Sequence, residues 1–143
     1  YFEVWLKSFS KFIEVLDQKG VKVVISTPIP EFPKVTFKQC KGQNDQWFNK
    51  LSKTDCSISR SSFVSEKGKY SYLLRGVKKI SSEHNNLFLF DAFNVMCPNE
   101  KCDYILENEF LYEDDNHISF YAGRYIIGPR LLDFIKENKI LSF

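Results

Sequence analysis

The apolar positions Phe2, Trp5, Leu6, Phe9, Phe12, Ile13 and Leu16 recur at helical spacing in "YFEVWLKSFSKFIEVLDQKG". One apolar stripe of this period predicts an amphipathic helix, with Gly20 as its C-terminal stop. Directly behind it, the β-branched run from Val21 to Ser26, "VKVVIS", predicts a short buried strand. The three prolines of "TPIPEFP" then take the chain out of the sheet, because proline has no N–H to give to a ladder. From about Val35 to Ser65 the pattern dissolves into a polar excursion that holds Cys40 and Cys56 and one short helical candidate around Gln46 to Leu51. Tyr70, Leu73, Leu74, Val77 and Ile80 restore a helical stripe, with Ser65 as its expected N-cap. Asn85 and Asn86 turn the chain into "LFLFDA", whose apolar run from Leu87 to Phe90 is too short for a helix and reads as a fully buried strand. Ser119 is placed to cap a last helix running to about Lys139, which Pro129 is expected to kink or split.

Strand, helix and strand in this order predict a right-handed crossover and parallel pairing, with the polar excursion inserted in the crossover. Two parallel strands are too little sheet to bury three striped helices, since parallel sheets are covered on both faces and are larger than a pair. The expected fold class is therefore α/β, a three-layer, flavodoxin-like parallel sheet flanked by helices, with further strands upstream of Tyr1. A first residue that is not Met, already inside a helical pattern, fits a piece of something longer. At 143 residues the chain is the size of one domain, or part of one.

Composition narrows the function classes. Hydrophobic content of 43% and 14 Phe belong to a folded segment, not a disordered one. The 20 basic and 18 acidic residues are interspersed and leave a net charge of +2, with no basic block to track a phosphate backbone, which argues against nucleic acid as a partner. No apolar run approaches the roughly 20 residues that span a bilayer. Four cysteines, Cys40, Cys56, Cys97 and Cys102, fall in two local pairs. "CPNEKC" suits a short disulfide loop better than a zinc knuckle, although free thiols or a metal site made from all four remain alternatives. Disulfides would place the chain in an oxidising compartment.

Candidate chemistry concentrates in "LYEDDNHISFYAGRYII", where Asp114 and His117 stand three apart at a helix entrance. A tight turn there brings the carboxylate to the imidazole Nδ1 and leaves Nε2 free as a base, the base and orienter of a serine-dependent hydrolase. The bland alternative is that Glu113, Asp114 and Asp115 only favour the positive end of the helix. A bare D-x-x-H does not decide between the two. Position favours a site, since connections leaving the carboxyl ends of parallel strands form the usual crevice of such sheets, and Asp91 closes the second strand. His84, at the "SSEHNN" turn, reads as exposed and idle, and neither Ser26 nor Ser62 sits in a strained turn suited to a nucleophile.

Taken together, Pro28 and Pro30 after a strand, Asp91 closing the next, the Cys97 and Cys102 pair, and Leu111, Tyr112, Asp114, His117 and Ser119 before the final helix resemble the C-terminal half of an SGNH (GDSL-type) hydrolase domain. The chain is most similar to the version fused to membrane acyltransferases of the acyltransferase type 3 family, which O-acetylate cell-surface polysaccharides. The resemblance runs nearly the whole length and is dense from Leu87 onward. It implies His117 as the base that activates a serine and Asp114 as its orienter. It also implies an acyl donor and a carbohydrate acceptor, no cofactor, a membrane acyltransferase domain in the same chain, and a periplasmic or extracytoplasmic location. The family's Gly-Asp-Ser nucleophile block does not occur in the sequence, so the nucleophile is expected upstream. "GQND" at Gly42 to Asp45 matches the family's Asn-bearing block in letters but falls after the Pro-x-Pro strand, out of order. The competing expectation is a carbohydrate-binding or adaptor domain that kept the fold and lost the chemistry.

Overall fold

The computed structural model of the protein describes residues 2–32, Cys40, 56–65 and 69–141. Helix α1 (Phe2–Asp17) closes in a Schellman turn. Gly20, at φ 68°, donates from its N–H to Asp17 O (2.8 Å), and the Val21 N–H reaches Leu16 O (2.9 Å). Glycine is needed there because a Cβ makes this left-handed backbone unfavourable.

Strands β1 (Val23–Ser26) and β3 (Leu87–Phe90) pair in parallel, Val23 opposite Leu87 through Ser26 opposite Phe90. Between them lie β2 (Ser57–Ser59), the one-turn helix α2 (Ser61–Val64) and the long helix α3 (Lys69–Glu83). Helices α1 and α3 approach closely at Gly76, where a Cβ would lie 2.7 Å from Leu6 Cδ1. Ile13 and Ile80 from these helices meet Leu87 in a buried apolar cluster. Phe90, on the opposite face by the two-residue alternation of a strand, packs on Phe134 at 5.5 Å between ring centres. Asn86, buried at the mouth of β3, donates from Nδ2 to Ile13 O and Val21 O and so fastens the end of α1 to the sheet. The apolar stripe of α1 is wider than the surface it meets: Ile13 is fully buried, whereas Trp5 and Phe12 remain exposed.

Beyond β3 the chain builds more structure than its pattern predicts. Helix α4 (Ala92–Met96), strand β4 (Lys101–Asp103) and the hairpin β5 (Ile105–Leu106) with β6 (Glu109–Phe110) occupy the stretch between Asp91 and the histidine loop, for which the apolar pattern predicts no element. Strand β2 returns from the polar excursion to pair antiparallel with β4, Ser57 opposite Asp103. Glu107 and Asn108 both take positive φ, as a two-residue hairpin turn requires. Ser65 has an extended backbone (ψ 138°) and ends α2. The residues between it and Lys69, on which its expected role as N-cap of α3 turns, lie outside the described residues. The helical candidate Gln46 to Leu51 and the "GQND" stretch lie outside the described residues.

Pro129 splits the last helix, but by a change of helix type. A π-helix (Ala122–Ile127) runs into α5 (Gly128–Glu137), with Pro129 in the first turn of α5. At the junction the Gly128 N–H donates to Gly123 O, and a Cβ on Gly128 would stand 2.9 Å from that oxygen. Disulfides join Cys40 to Cys56 and Cys97 to Cys102, so none of the four sulfurs is a thiolate available to a metal. Among the described residues, no helix is long and apolar enough to cross a membrane.

Candidate active site

Asp114 and His117 form the exposed tip of a loop whose base is buried. Tyr112 and Ile118 bridge across the base, the Glu113 N–H donates to His117 O (2.9 Å), and the Ser119 N–H donates to Leu111 O (2.9 Å). Beneath the bridge the Tyr112 ring stacks on Tyr104 and meets the edge of Phe32, both fully buried. Two polar ties rise from this aromatic floor. The Tyr104 hydroxyl donates to Asp114 O (3.0 Å), and the Phe32 N–H donates to Asp115 O (2.6 Å). The proline-rich loop after β1 thereby holds the histidine loop from below, and buried Pro30 seats it.

At the tip one carboxylate makes three hydrogen bonds. Asp114 Oδ1 accepts from the backbone N–H groups of Asn116 (3.0 Å) and His117 (2.7 Å), while Oδ2 accepts from His117 Nδ1 at 2.7 Å. The two backbone bonds fix the carboxylate, and the fixed carboxylate aims the ring. With Nδ1–H committed to Asp114, the neutral imidazole carries its lone pair on Nε2. The His117 side chain is 74% exposed and Asp114 51%, so a reacting group can reach that nitrogen from solvent.

The electrostatics follow from these bonds. Donation from the Asn116 N–H, then from the His117 side chain and backbone, holds the Asp114 carboxyl down at about 2. The hydrogen bond from Asp114, its charge, and the weaker fields of Asp115 and Glu113 raise His117 above the ordinary imidazole value. Burial pushes the Tyr112 hydroxyl up, and burial with the nearby Asp114 and Asp115 charges does the same to Tyr104, so both stay neutral.

The capping explanation of the acidic cluster does not account for Asp114. Ser119 Oγ accepts from the Ala122 N–H (3.1 Å) at the helix entrance, and the Asp114 carboxylate spends its bonds on its own loop and on His117. Asp91 caps α4 by accepting from the Asn94 N–H (3.1 Å). It belongs to a second polar cluster at the ends of β1 and β3, which sequence reading missed. Buried Thr27 accepts the Phe93 N–H (2.9 Å) and donates to Asp91 (3.4 Å), Asn94 donates to Asp91, and Arg60 donates to Asn94 and to Cys97 O. Only the Asp that ends an apolar run signalled this cluster; Arg60 arrives from the polar excursion with no spacing to mark it.

The remaining candidates fall elsewhere. His84 is not idle: its Nε2 lies 2.9 Å from Ser10 Oγ in a half-buried contact between α3 and α1. Ser26 Oγ donates to Thr27 O, and Ser62 is exposed on α2. A groove of about 600 Å³ runs between Asp91 and Asn94 on one side and Arg130 and Phe134 on the other, and a cavity of about 180 Å³ lies among Trp5, Thr27, Leu74 and Leu89. Asp114 and His117 line neither. Among the described residues, no three His, Cys, Asp or Glu side chains converge as a metal site would require.

The family model described as "SGNH domain (fused to AT3 domains)" matches residues 3–131. No curated protein and no solved structure matches the chain.

Proposed function

The chain belongs to the SGNH domain family whose members are fused to AT3 domains, and from that premise we propose that His117 and Asp114 are the base and orienter of a serine-dependent acyltransferase or esterase acting on cell-surface polysaccharide. Family membership supports acyl transfer or ester hydrolysis as the reaction class. The observation that carries the assignment of residues is the 2.7 Å bond from His117 Nδ1 to a carboxylate that two backbone amides already hold in place.

In this reading a serine from another part of the full-length protein approaches Nε2. His117 takes the hydroxyl proton as the serine oxygen attacks the acyl carbon, then returns that proton to the departing oxygen as the first ester breaks. A sugar hydroxyl, or water, gives its proton to Nε2 in the second half as its oxygen attacks the acyl carbon; the bond to the serine oxygen breaks, that oxygen takes the proton back from Nε2, and the acyl group leaves on the acceptor. Asp114 stays ionised throughout and stabilises the imidazolium that forms. No cofactor is required by this chemistry.

The same premise extends to architecture and location. We place the chain as the C-terminal part of one three-layer SGNH domain. Among the described residues β1 pairs with β3 alone, which leaves its other edge for further parallel strands. Two disulfides support an extracytoplasmic setting, with a membrane acyltransferase domain in the same protein as the source of the acyl group.

The test is His117→Ala in the full-length protein, assayed for hydrolysis of 4-nitrophenyl acetate and for transfer of acetyl to polysaccharide. Loss of at least a thousandfold in both is expected, on the scale of roughly 10²–10⁴ for general base catalysis plus the wasted nucleophile. A variant as active as the parent overturns the assignment.

A further inference from the structure

Immediately after His117 the helix displays aromatic rings that the fold does not use. Phe120 is 70% exposed and Tyr125 58% exposed. The Arg124 guanidinium lies over both, 5.7 Å from the Phe120 ring centre and 5.4 Å from that of Tyr125, and Tyr121 leans on Tyr125 at 5.3 Å. Arg124 and Tyr125 come from the π-helix (Ala122–Ile127), which begins two residues after Phe120, and the Arg124 guanidinium joins the two rings.

We propose that Phe120, Arg124 and Tyr125 form a platform that binds a pyranose ring of the polysaccharide beside the His117 nucleophile-activating site. The proposal rests on the assignment of His117 and on a saccharide as acceptor. The chemistry fits in three ways. An exposed ring face carries negative charge at its centre and attracts the polarised C–H groups on the flat face of a sugar, and it does so with little loss of side-chain freedom. A guanidinium held between two rings presents its N–H groups sideways, toward the hydroxyls or carboxylate at a sugar's rim. Phe120 stands three positions after His117, at most about 11 Å of extended backbone, so one saccharide can touch both.

The experiment uses the full-length protein in detergent and saturation-transfer NMR with three probes: maltohexaose, xylohexaose and hexagalacturonate. Transfer to sugar ring protons is expected with at least one, and the F120A/Y125A variant is expected to weaken that binding at least tenfold. F120L/Y125L guards against misfolding and against a merely greasy patch, because it keeps apolar bulk and removes only the flat faces. It too is expected to lose the binding, and a leucine variant that binds as the parent does overturns stacking. Arg124→Gln is expected to weaken binding several-fold. Hydrolysis of 4-nitrophenyl acetate, which carries no sugar, separates the two claims. If that hydrolysis depends on His117 and no probe binds, the platform fails while the catalytic assignment stands. If probes bind through Phe120 and Tyr125 and no His117-dependent hydrolysis occurs, the catalytic assignment fails while the platform stands as a binding site.

Discussion

Replacing Asp114 by Asn tests the site at its most constrained atom. The carboxylate accepts three hydrogen bonds, two from backbone amides on Oδ1 and one from His117 Nδ1 on Oδ2. An amide of the same shape has one accepting oxygen and one donating nitrogen, so it cannot satisfy both sides. Kept against the two backbone amides, its oxygen preserves two bonds, and its NH₂ then faces Nδ1. That arrangement wins over the flipped one, which would save one bond and set two donors against a donor. His117 must then accept at Nδ1 and carry its proton on Nε2, which makes it a donor where a base is needed. Loss of the correct tautomer with the geometry intact lowers kcat by about 10⁴ in a serine-histidine-aspartate triad, so a fall of roughly 10²–10⁴ is expected here. KM for 4-nitrophenyl acetate is expected to change little, because Asp114 acts through His117. A variant retaining more than a tenth of parental kcat would refute this account of the dyad.

Three further predictions concern the scaffold. Thr27→Val leaves the buried Phe93 N–H without its 2.9 Å acceptor and is expected to cost about 1–3 kcal/mol in urea unfolding, whereas Thr27→Ser is expected to cost much less. Removing the Cys97–Cys102 disulfide, which closes a separation of 5 residues, is expected to cost about 2 kcal/mol, and removing Cys40–Cys56, with a separation of 16, about 3 kcal/mol; equal losses would show that loop closure is not the main term. Gly128→Ala would help an ordinary α-helix by about 1 kcal/mol, yet here it is expected to lower Tm, because the new Cβ stands 2.9 Å from Gly123 O; a rise in Tm would show that the π-turn relaxes freely.

What the sequence disclosed, and what it hid, divides along the range of the interactions. The stripe of α1, the two short apolar strands and the split near Pro129 are written in local periods and in one ring's missing N–H, and they are legible without a partner. The parallel pairing of β1 and β3 followed from their order. By contrast, β2 and β4 are three-residue strands with no alternation to read, paired next to the long-range Arg60 bond to Cys97 O and the Cys97–Cys102 turn. At the site, the spacing of Asp114 and His117 was visible, and their contact is a local event. The aromatic floor of Phe32, Tyr104 and Tyr112 was not, because Phe32 comes from a distant part of the chain and no period links it to the two tyrosines. The π-helix was likewise hidden, since it depends on Gly128 tolerating a carbonyl at close range, and a glycine in a helix usually signals something else.

Under the proposed function, the exposure of the dyad bears on its protonation with substrate in place. In the free protein Asp114 raises the His117 pKa by stabilising the imidazolium, so the neutral, base-competent form prevails only above the ordinary value near 6.5. A saccharide covering Nε2 removes water from the ring, and desolvation acts in the opposite direction, disfavouring the charged form. Under the proposed mechanism, substrate binding would therefore move His117 toward the state that can accept a proton. The two kinetic profiles report the two states separately: kcat/KM follows the free protein, and kcat follows the complex. With a polysaccharide substrate, the acidic limb of kcat/KM is expected at a midpoint above 6.5, and that of kcat at a lower pH. With 4-nitrophenyl acetate, too small to cover the ring and the platform together, the two limbs are expected to lie closer. In Asp114→Asn both limbs are expected to shift to lower pH, because the group that raised the pKa is gone. An acidic limb that stays in place in that variant would assign the titration to a residue other than His117.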